Sequence, residues 1–309
     1  MIAFVFPGQG SQYIGMGKSF FDTYPEVKEI FEKAEEVTGV PVKKLCFEGP
    51  SEELTRTENL QVCITAVDVA CLTAIKKEIG IEPAFVAGHS LGEYPALFAG
   101  GVLNLEDLFL AVKERGRLME KAGEKGNSTM YAIINMQLEE LQSLVKDYSE
   151  SVVVANYNSP KQFVISGKIP EIDEVAKICK EKGARVVKLK VSAGFHSPLM
   201  KEAEAEFSKI LENLKWQDAK IPFVSNVSAK EETSGEHIKE LMKKQITSSV
   251  KWIDCVNYMF EKGIKTFVEV GPKKVLSGLI KQILSDKEVK ILNVEDENSL
   301  KILEKELRL

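Results

Sequence analysis

The feature that most constrains the fold is Gly88-His89-Ser90-Leu91-Gly92, set between a short apolar run at 84–87 and a helical stretch at 93–99. A strand that must turn within a few residues into a helix needs glycines on either side of the turn. Its central residue is then presented at the helix N-terminus. There the free N–H groups and the helix dipole favour developing negative charge. The pattern therefore predicts a serine hydroxyl exposed at the end of a strand, in an α/β layer. A glycine-rich turn with a capping serine is the plainer alternative.

The surrounding periodicities agree with that layer. Apolar residues at three- and four-residue steps (Val62, Ala66, Val69, Ala70, Thr73, Ala74) predict a helix over 59–79, ended by Gly80. Met1-Ile2-Ala3-Phe4-Val5-Phe6 reads as a buried first strand. Alternating strands and helices indicate a largely parallel sheet. The chain turns small and polar at Gly123-Glu124-Lys125-Gly126-Asn127-Ser128, a crossing point between subdomains. Beyond it come strands at 129–135, 152–157, 162–167 and 184–191, with helices at 137–148 and 170–182. This βαββαβ order is ferredoxin-like. After 197 the α/β style returns, with a helix near 198–214, strands near 222–225 and 266–270, and a helix after Gly271-Pro272. The expected organisation is a large subdomain of residues 1–127 and 194–309, interrupted by a small one of residues 128–193. The length of 309 residues accommodates one domain with such an insertion.

Composition narrows the chemistry. The net charge of −5 offers no overall basic excess for nucleic acid. Polar residues begin by Gln9, too early for a signal peptide, and no apolar run approaches the roughly 20 residues of a membrane span. A cytoplasmic protein without membrane or nucleic-acid partners is expected. The five Cys include no C-x-x-C pair and no zinc spacing, so no metal site is expected. Odd, scattered thiols suit a reducing compartment.

Only three histidines are available to activate a serine. His89 adjoins Ser90 on a tight turn and points elsewhere. His237 follows a polar stretch that reads as a solvated loop. His196, in Ser192-Ala193-Gly194-Phe195-His196-Ser197-Pro198, lies at the return from the insertion and is the better candidate. A helix-capping histidine is the competing reading. No acid is singled out to orient it, which leaves room for a backbone carbonyl. Arg115 is a second anomaly. It falls on the apolar stripe Leu108, Val112, Met119 of the helix that starts at Asn104. A guanidinium there needs an anion, either an internal carboxylate or a ligand. Two nucleotide look-alikes fail. Gly8-Gln9-Gly10-Ser11-Gln12-Tyr13 has Tyr13 where a dinucleotide fingerprint needs Gly, and Gly17-Lys18-Ser19 has Gln12 where a P-loop needs its first Gly.

Taken together, Phe6-Pro7-Gly8-Gln9-Gly10-Ser11-Gln12, Ala87-Gly88-His89-Ser90-Leu91-Gly92-Glu93-Tyr94, Arg115-Gly116, Asn156-Tyr157-Asn158-Ser159-Pro160, Phe195-His196-Ser197 and Glu269-Val270-Gly271-Pro272 resemble malonyl-CoA:acyl carrier protein transacylases of bacterial fatty-acid synthesis, essentially end to end. The resemblance implies an α/β-hydrolase-like core with a Ser–His dyad. It makes Ser90 the nucleophile and His196 the general acid/base, with the main-chain carbonyl of Gln245 holding the histidine. Gln9 and the N–H of Leu91 form the oxyanion hole, and Arg115 binds the malonyl carboxylate. His89, Gln61 and Met119 line the acyl pocket, Phe195 marks malonyl selectivity, and Arg185 lies near the CoA entrance. It also implies malonyl-CoA and holo acyl carrier protein as partners, no cofactor, and a monomer. An acidic carrier would need a local basic patch, with Arg185, Lys188, Lys190, Lys273 and Lys274 as candidates. A serine thioesterase, an acyltransferase serving polyketide assembly, and a docking module without catalysis are the alternatives.

Overall fold

The computed structural model describes residues 1–308. Among the described residues ten strands form two sheets. They are β1 (Ile2–Phe6), β2 (Phe85–Gly88), β3 (Ser128–Ile134), β4 (Val152–Ser159), β5 (Gln162–Lys168), β6 (Arg185–Lys188), β7 (Phe223–Val224), β8 (Glu231–Glu232), β9 (Thr266–Val270) and β10 (Lys290–Val294).

The larger sheet has the order β10-β9-β1-β2-β7-β8. Its first five strands run parallel, and β8 returns antiparallel beside β7. Parallel strands covered on both faces are apolar throughout, as Ile2-Ala3-Phe4-Val5-Phe6 is. The period of two then divides the core. Phe4, Phe6, Val86 and Val268 face a cluster built around the Thr57–Glu78 helix. Ala3, Val5, Phe85 and Ala87 face the opposite cluster, with Trp252 and Leu276 from the helices Trp252–Glu261 and Val275–Ile283.

The Thr57–Glu78 helix corrects one expectation. By length and composition its 22 residues could cross a membrane, although no such run was expected from the sequence. It is instead a central core helix, with 83% of its most apolar window buried; a helix apolar all round is one packed on all sides. It carries Asp68 at zero exposure, and neither carboxylate oxygen has a hydrogen-bond partner. Asp68 abuts Gly271, where an added Cβ would come within 2.1 Å of its Oδ1.

The smaller sheet is wholly antiparallel, in the order β4-β5-β3-β6. Helices Leu138–Lys146 and Glu171–Glu181 cover the face that carries Ile133, Phe163 and Ile165. Met130 and Ala132, two residues apart on β3, point the other way and join the main core. Strand β6 stops at Lys188, short of the expected 191. Leu189 still donates its N–H to Met130 (3.0 Å) before the chain leaves the sheet. His237 is not in a loop either. Ser234 caps the Gly235–Lys244 helix by accepting from the N–H of His237 (3.3 Å), which places His237 in its first turn. The helix expected near 198–214 starts as a single 3₁₀ turn, Pro198–Met200, before Lys201–Glu212.

Burial, and then the nearby Glu269 carboxylate, push the Asp68 carboxyl well above its ordinary range. The folded chain therefore holds a proton there that the unfolded chain releases, and stability falls as pH rises through that interval. Asp68→Asn, which does not titrate, should raise the melting temperature more at about pH 8 than at about pH 5. Equal shifts at both values in thermal melts would refute this.

Candidate active site

The turn after β2 is built by close approach. A Cβ on Gly88 would lie 2.0 Å from the carbonyl of Gly92, and one on Gly92 would lie 1.9 Å from the carbonyl oxygen of Phe6. Between them Ser90 has φ 52°, a left-handed conformation uncommon for a residue with a side chain. The segment after β1 lies against this turn, since a Cβ on Gly8 would meet the His89 carbonyl at 2.6 Å. That contact carries Gln9 into the same cavity as Ser90 and Leu91.

His196 reaches the turn from the far end of the insertion, and its φ of 54° is left-handed too. Its backbone N–H donates to the Ile246 carbonyl at 3.0 Å. Nδ1 lies 3.1 Å from two carbonyl oxygens, those of Gln245 and Ser248. Carbonyls only accept, so Nδ1 carries the proton and Nε2 presents its lone pair. Nε2 stands 2.6 Å from Ser90 Oγ, so the hydroxyl donates to it. Burial, and then the charge of Arg115, push the His196 pKa down to about 3. The imidazole is thus neutral at physiological pH and ready to accept a proton.

Arg115 is buried, and its partners are neutral. Nη1 donates to Gln61 Oε1 (2.9 Å), Nε and Nη2 donate to Gln245 Oε1 (3.2 and 3.0 Å), and Nη2 also donates to Ser90 Oγ (3.0 Å). Its guanidinium lies 5.6 Å from the Tyr94 ring. Among the described residues no carboxylate pairs with it, so the internal ion pair considered from sequence is not formed. A cation held by amides beside a reactive hydroxyl is suited to an incoming carboxylate.

The cavity around these groups is small, about 100 Å³, with Met119, Met130, Phe195 and His89 among its walls. Gln61 stands behind Arg115, its Nε2 3.2 Å from Met119 Sδ. His89 is engaged by Asn158 Oδ1 (2.7 Å) and meets the edge of Trp252, so it does not compete for the serine proton. Gln9, Leu189 and Val191 are shared with an adjoining cavity of about 490 Å³, which Lys190 also lines. Arg185 is exposed at the start of β6 and lines neither cavity.

Four roles were not legible in the sequence, although Glu93 and Asn158 lie within the motifs Ala87–Tyr94 and Asn156–Pro160. Ser248 is the second anchor of His196, and Asn158 holds His89. Glu93 and Asn226 lie behind Ser90: Asn226 Oδ1 accepts from the Ser90 N–H (2.8 Å), and Glu93 Oε1 accepts from the Asn226 N–H (2.7 Å). Burial raises the Glu93 carboxyl to about 7. Glu93 directly follows Gly88-His89-Ser90-Leu91-Gly92 and could have been flagged; Asn226 and Ser248 stand in segments without local signal. Among the described residues no group of three or more His, Cys, Asp or Glu could hold a metal ion.

The imidazole makes a direct prediction. Nitrogen-detected NMR should show His196 as the neutral Nδ1–H tautomer from about pH 8 to about pH 5. Arg115→Met, which removes a positive charge, should move its midpoint upward. A wild-type midpoint near the ordinary value of about 6.5 would refute the assignment.

The comparisons with known proteins agree along the whole chain. The acyl transferase domain model matches residues 3–308. The malonyl CoA-acyl carrier protein transacylase of Bacillus subtilis (strain 168) is 41% identical over 305 residues, spanning 97% of this chain and 95% of its own. The crystal structure of the malonyl CoA-acyl carrier protein transacylase from Clostridium perfringens superposes with a TM-score of 0.93 at 38% identity, over 99% of this chain and 97% of that one. A malonyl-transacylase solved in complex with its type II PKS acyl-carrier protein superposes with a TM-score of 0.94 at 35% identity, over 99% of each chain. At this identity and coverage, the chain belongs to the acyl transferases, in the family of malonyl CoA-acyl carrier protein transacylases.

Proposed function

We propose that this enzyme moves a malonyl group from malonyl-CoA to the phosphopantetheine thiol of acyl carrier protein through a malonyl-Ser90 ester, supplying fatty-acid elongation. One observation carries the reading: Ser90 Oγ lies between a neutral imidazole acceptor at 2.6 Å and the guanidinium of Arg115 at 3.0 Å. In the first half-reaction His196 Nε2 takes the Ser90 proton as Oγ attacks the thioester carbonyl. The Leu91 N–H and Gln9 stabilise the oxyanion, the C–S bond breaks, and the proton passes to the CoA sulfur. The carrier thiol then reverses these steps. Arg115 holds the malonyl carboxylate, and His89, Met119 and Phe195 bound the acyl group, with Gln61 supporting Arg115. The Gln245 and Ser248 carbonyls fix the His196 tautomer.

The architecture fits this reading. Residues 1–127 and 194–309 serve as an α/β-hydrolase-like core that carries the nucleophile turn on β2. Residues 128–193 serve as a ferredoxin-like subdomain, supported by its βαββαβ order and the sheet order β4-β5-β3-β6. The 490 Å³ cavity is suited to the pantetheine arm. We place carrier docking around its rim. Lys190 lines it, Lys273 reaches toward Gly10 (3.5 Å), and Lys188 and Arg185 lie exposed on β6. The reading is of a cytoplasmic, monomeric enzyme needing no cofactor, with neither nucleic acid nor membrane as partner. The five cysteines, all buried and free, fit a reducing compartment.

Incubation with malonyl-, methylmalonyl- and acetyl-CoA in parallel, followed by intact mass, tests the chemistry. The malonyl adduct should form and Ser90→Ala should abolish it; absence of any adduct points to a docking module. Malonate release without carrier, as fast as transfer with it, points to a thioesterase. Arg115→Ala should lose malonyl transfer by about 100-fold or more while keeping activity on acetyl-CoA; equal losses on both would remove the carboxylate role. Reversing the charge of Lys190 and Lys273 together should raise KM for the carrier and leave the CoA half-reaction intact. The opposite pattern would refute the docking rim.

A further inference from the structure

Glu93 is a fully buried carboxylate that the proton-transfer steps do not use, and it directly follows the Gly88–Gly92 turn. Both of its oxygens are engaged by N–H donors from separate segments. Oε1 accepts from the Asn226 backbone N–H at 2.7 Å, and Oε2 accepts from Gln245 Nε2 at 2.6 Å. Each donor residue in turn grips the nucleophile turn. Asn226 Oδ1 accepts from the Ser90 N–H at 2.8 Å, and its Nδ2 donates to the Gly88 carbonyl at 2.7 Å. Gln245 Nε2 donates to the Ser90 carbonyl at 2.8 Å. One carboxylate thus braces two clamps that hold both peptide groups of Ser90, a residue in the sparsely populated left-handed region. Such a conformation persists only where its surroundings over-determine it.

We infer that Glu93 and Asn226 are positioning residues for Ser90, acting as one unit that fixes the nucleophile's backbone so that its hydroxyl meets His196 and the N–H of Leu91 faces the developing oxyanion. The inference rests on the acyl-transfer reading of the site. Glutamine at 93 is nearly isosteric, but it offers one acceptor and one NH₂ group in place of two acceptors. The backbone N–H of Asn226 cannot invert. If Gln245 turns its amide to accept instead, it stops donating to the Ser90 carbonyl and withdraws Oε1 from Arg115. In either arrangement one clamp is lost.

Rapid-quench acylation by malonyl-CoA, followed by intact mass, separates positioning from folding because it reads rate and amplitude independently. Glu93→Gln and Asn226→Ala should each still acylate fully, at a rate lower by about 100-fold. The half-saturating malonyl-CoA concentration should stay within about twofold of wild type. The double variant should be no slower than the slower single one, as expected of residues acting as a unit. Reduced amplitude at an unchanged rate would mean that Glu93 only stabilises the fold, and would overturn the inference. So would an unchanged rate at full amplitude, or a loss confined to half-saturation, which would place the effect on Arg115. A wild type that takes no malonyl group would instead remove the acyl-transfer reading, and this inference with it.

Discussion

The site depends on one contact, the 2.6 Å hydrogen bond between Ser90 Oγ and His196 Nε2, made by two residues that both sit in left-handed backbone. Each such conformation costs about 1–3 kcal/mol for a residue with a side chain. They are 106 positions apart, so no local preference brings them together. Their hosts are rigid. Ser90 is fixed at the end of β2, where Gly88, Gly92 and Gly8 leave no room for a Cβ. His196 is fixed by a backbone bond to Ile246 and two carbonyls on its Nδ1. Much of the large sheet's core serves to hold β1 and β2 in register, Phe6 against Gly88, so that this turn can be tight.

The second constraint is electrostatic. A buried guanidinium, a buried imidazole and a buried carboxyl crowd the same few ångströms, yet none pairs with another as a direct salt bridge. Gln245 stands between them: its side-chain oxygen takes Arg115, its side-chain nitrogen takes Glu93 and the Ser90 carbonyl, and its main-chain oxygen takes His196. Neutral amide partners leave Arg115 with charge unspent, where a carboxylate partner would have neutralised it. That unspent charge helps keep His196 unprotonated. An anionic acyl group bound to Arg115 would weaken this influence and raise the basicity of His196 as the ester forms.

Legibility in the sequence followed the range of the interaction. The strand, turn and helix around Ser90 are local, and glycine spacing reveals them. The βαββαβ insertion is visible because each element carries its own period. His196 emerged by elimination among three histidines, and Arg115 because a charge on an apolar stripe is locally anomalous. Asn226 and Ser248 left no trace, and Asn158 stood in a motif without a role of its own, since an amide or a main-chain carbonyl acquires its meaning only from what the fold sets beside it. Gln245 was legible in one role of three. The Thr57–Glu78 helix was underestimated for a related reason. Its polar positions, Asp68 among them, interrupt the apolar run in sequence yet are buried in space.

The two sheets meet where the chemistry is. Met130 on β3 and the segment after β6, with Leu189 and Val191, line the cavity together with the Ser90 turn, so both sheets contribute to its walls. This arrangement addresses the main hazard of the proposed reaction. Exchange between two thioesters is nearly isoenergetic, whereas hydrolysis of the acyl-serine is strongly downhill. Selection for transfer therefore requires water to be kept from an ester that a thiol must reach. A chamber of about 100 Å³ lined by Met119, Met130 and Phe195 leaves little room for water beside an acyl group. The wider cavity that shares Gln9, Leu189 and Val191 with it is suited to a long, narrow thiol arm. In the proposed reaction, specificity for transfer is then a property of the walls that the two sheets set around a rigid turn, because a Ser–His dyad by itself does not select between thiol and water.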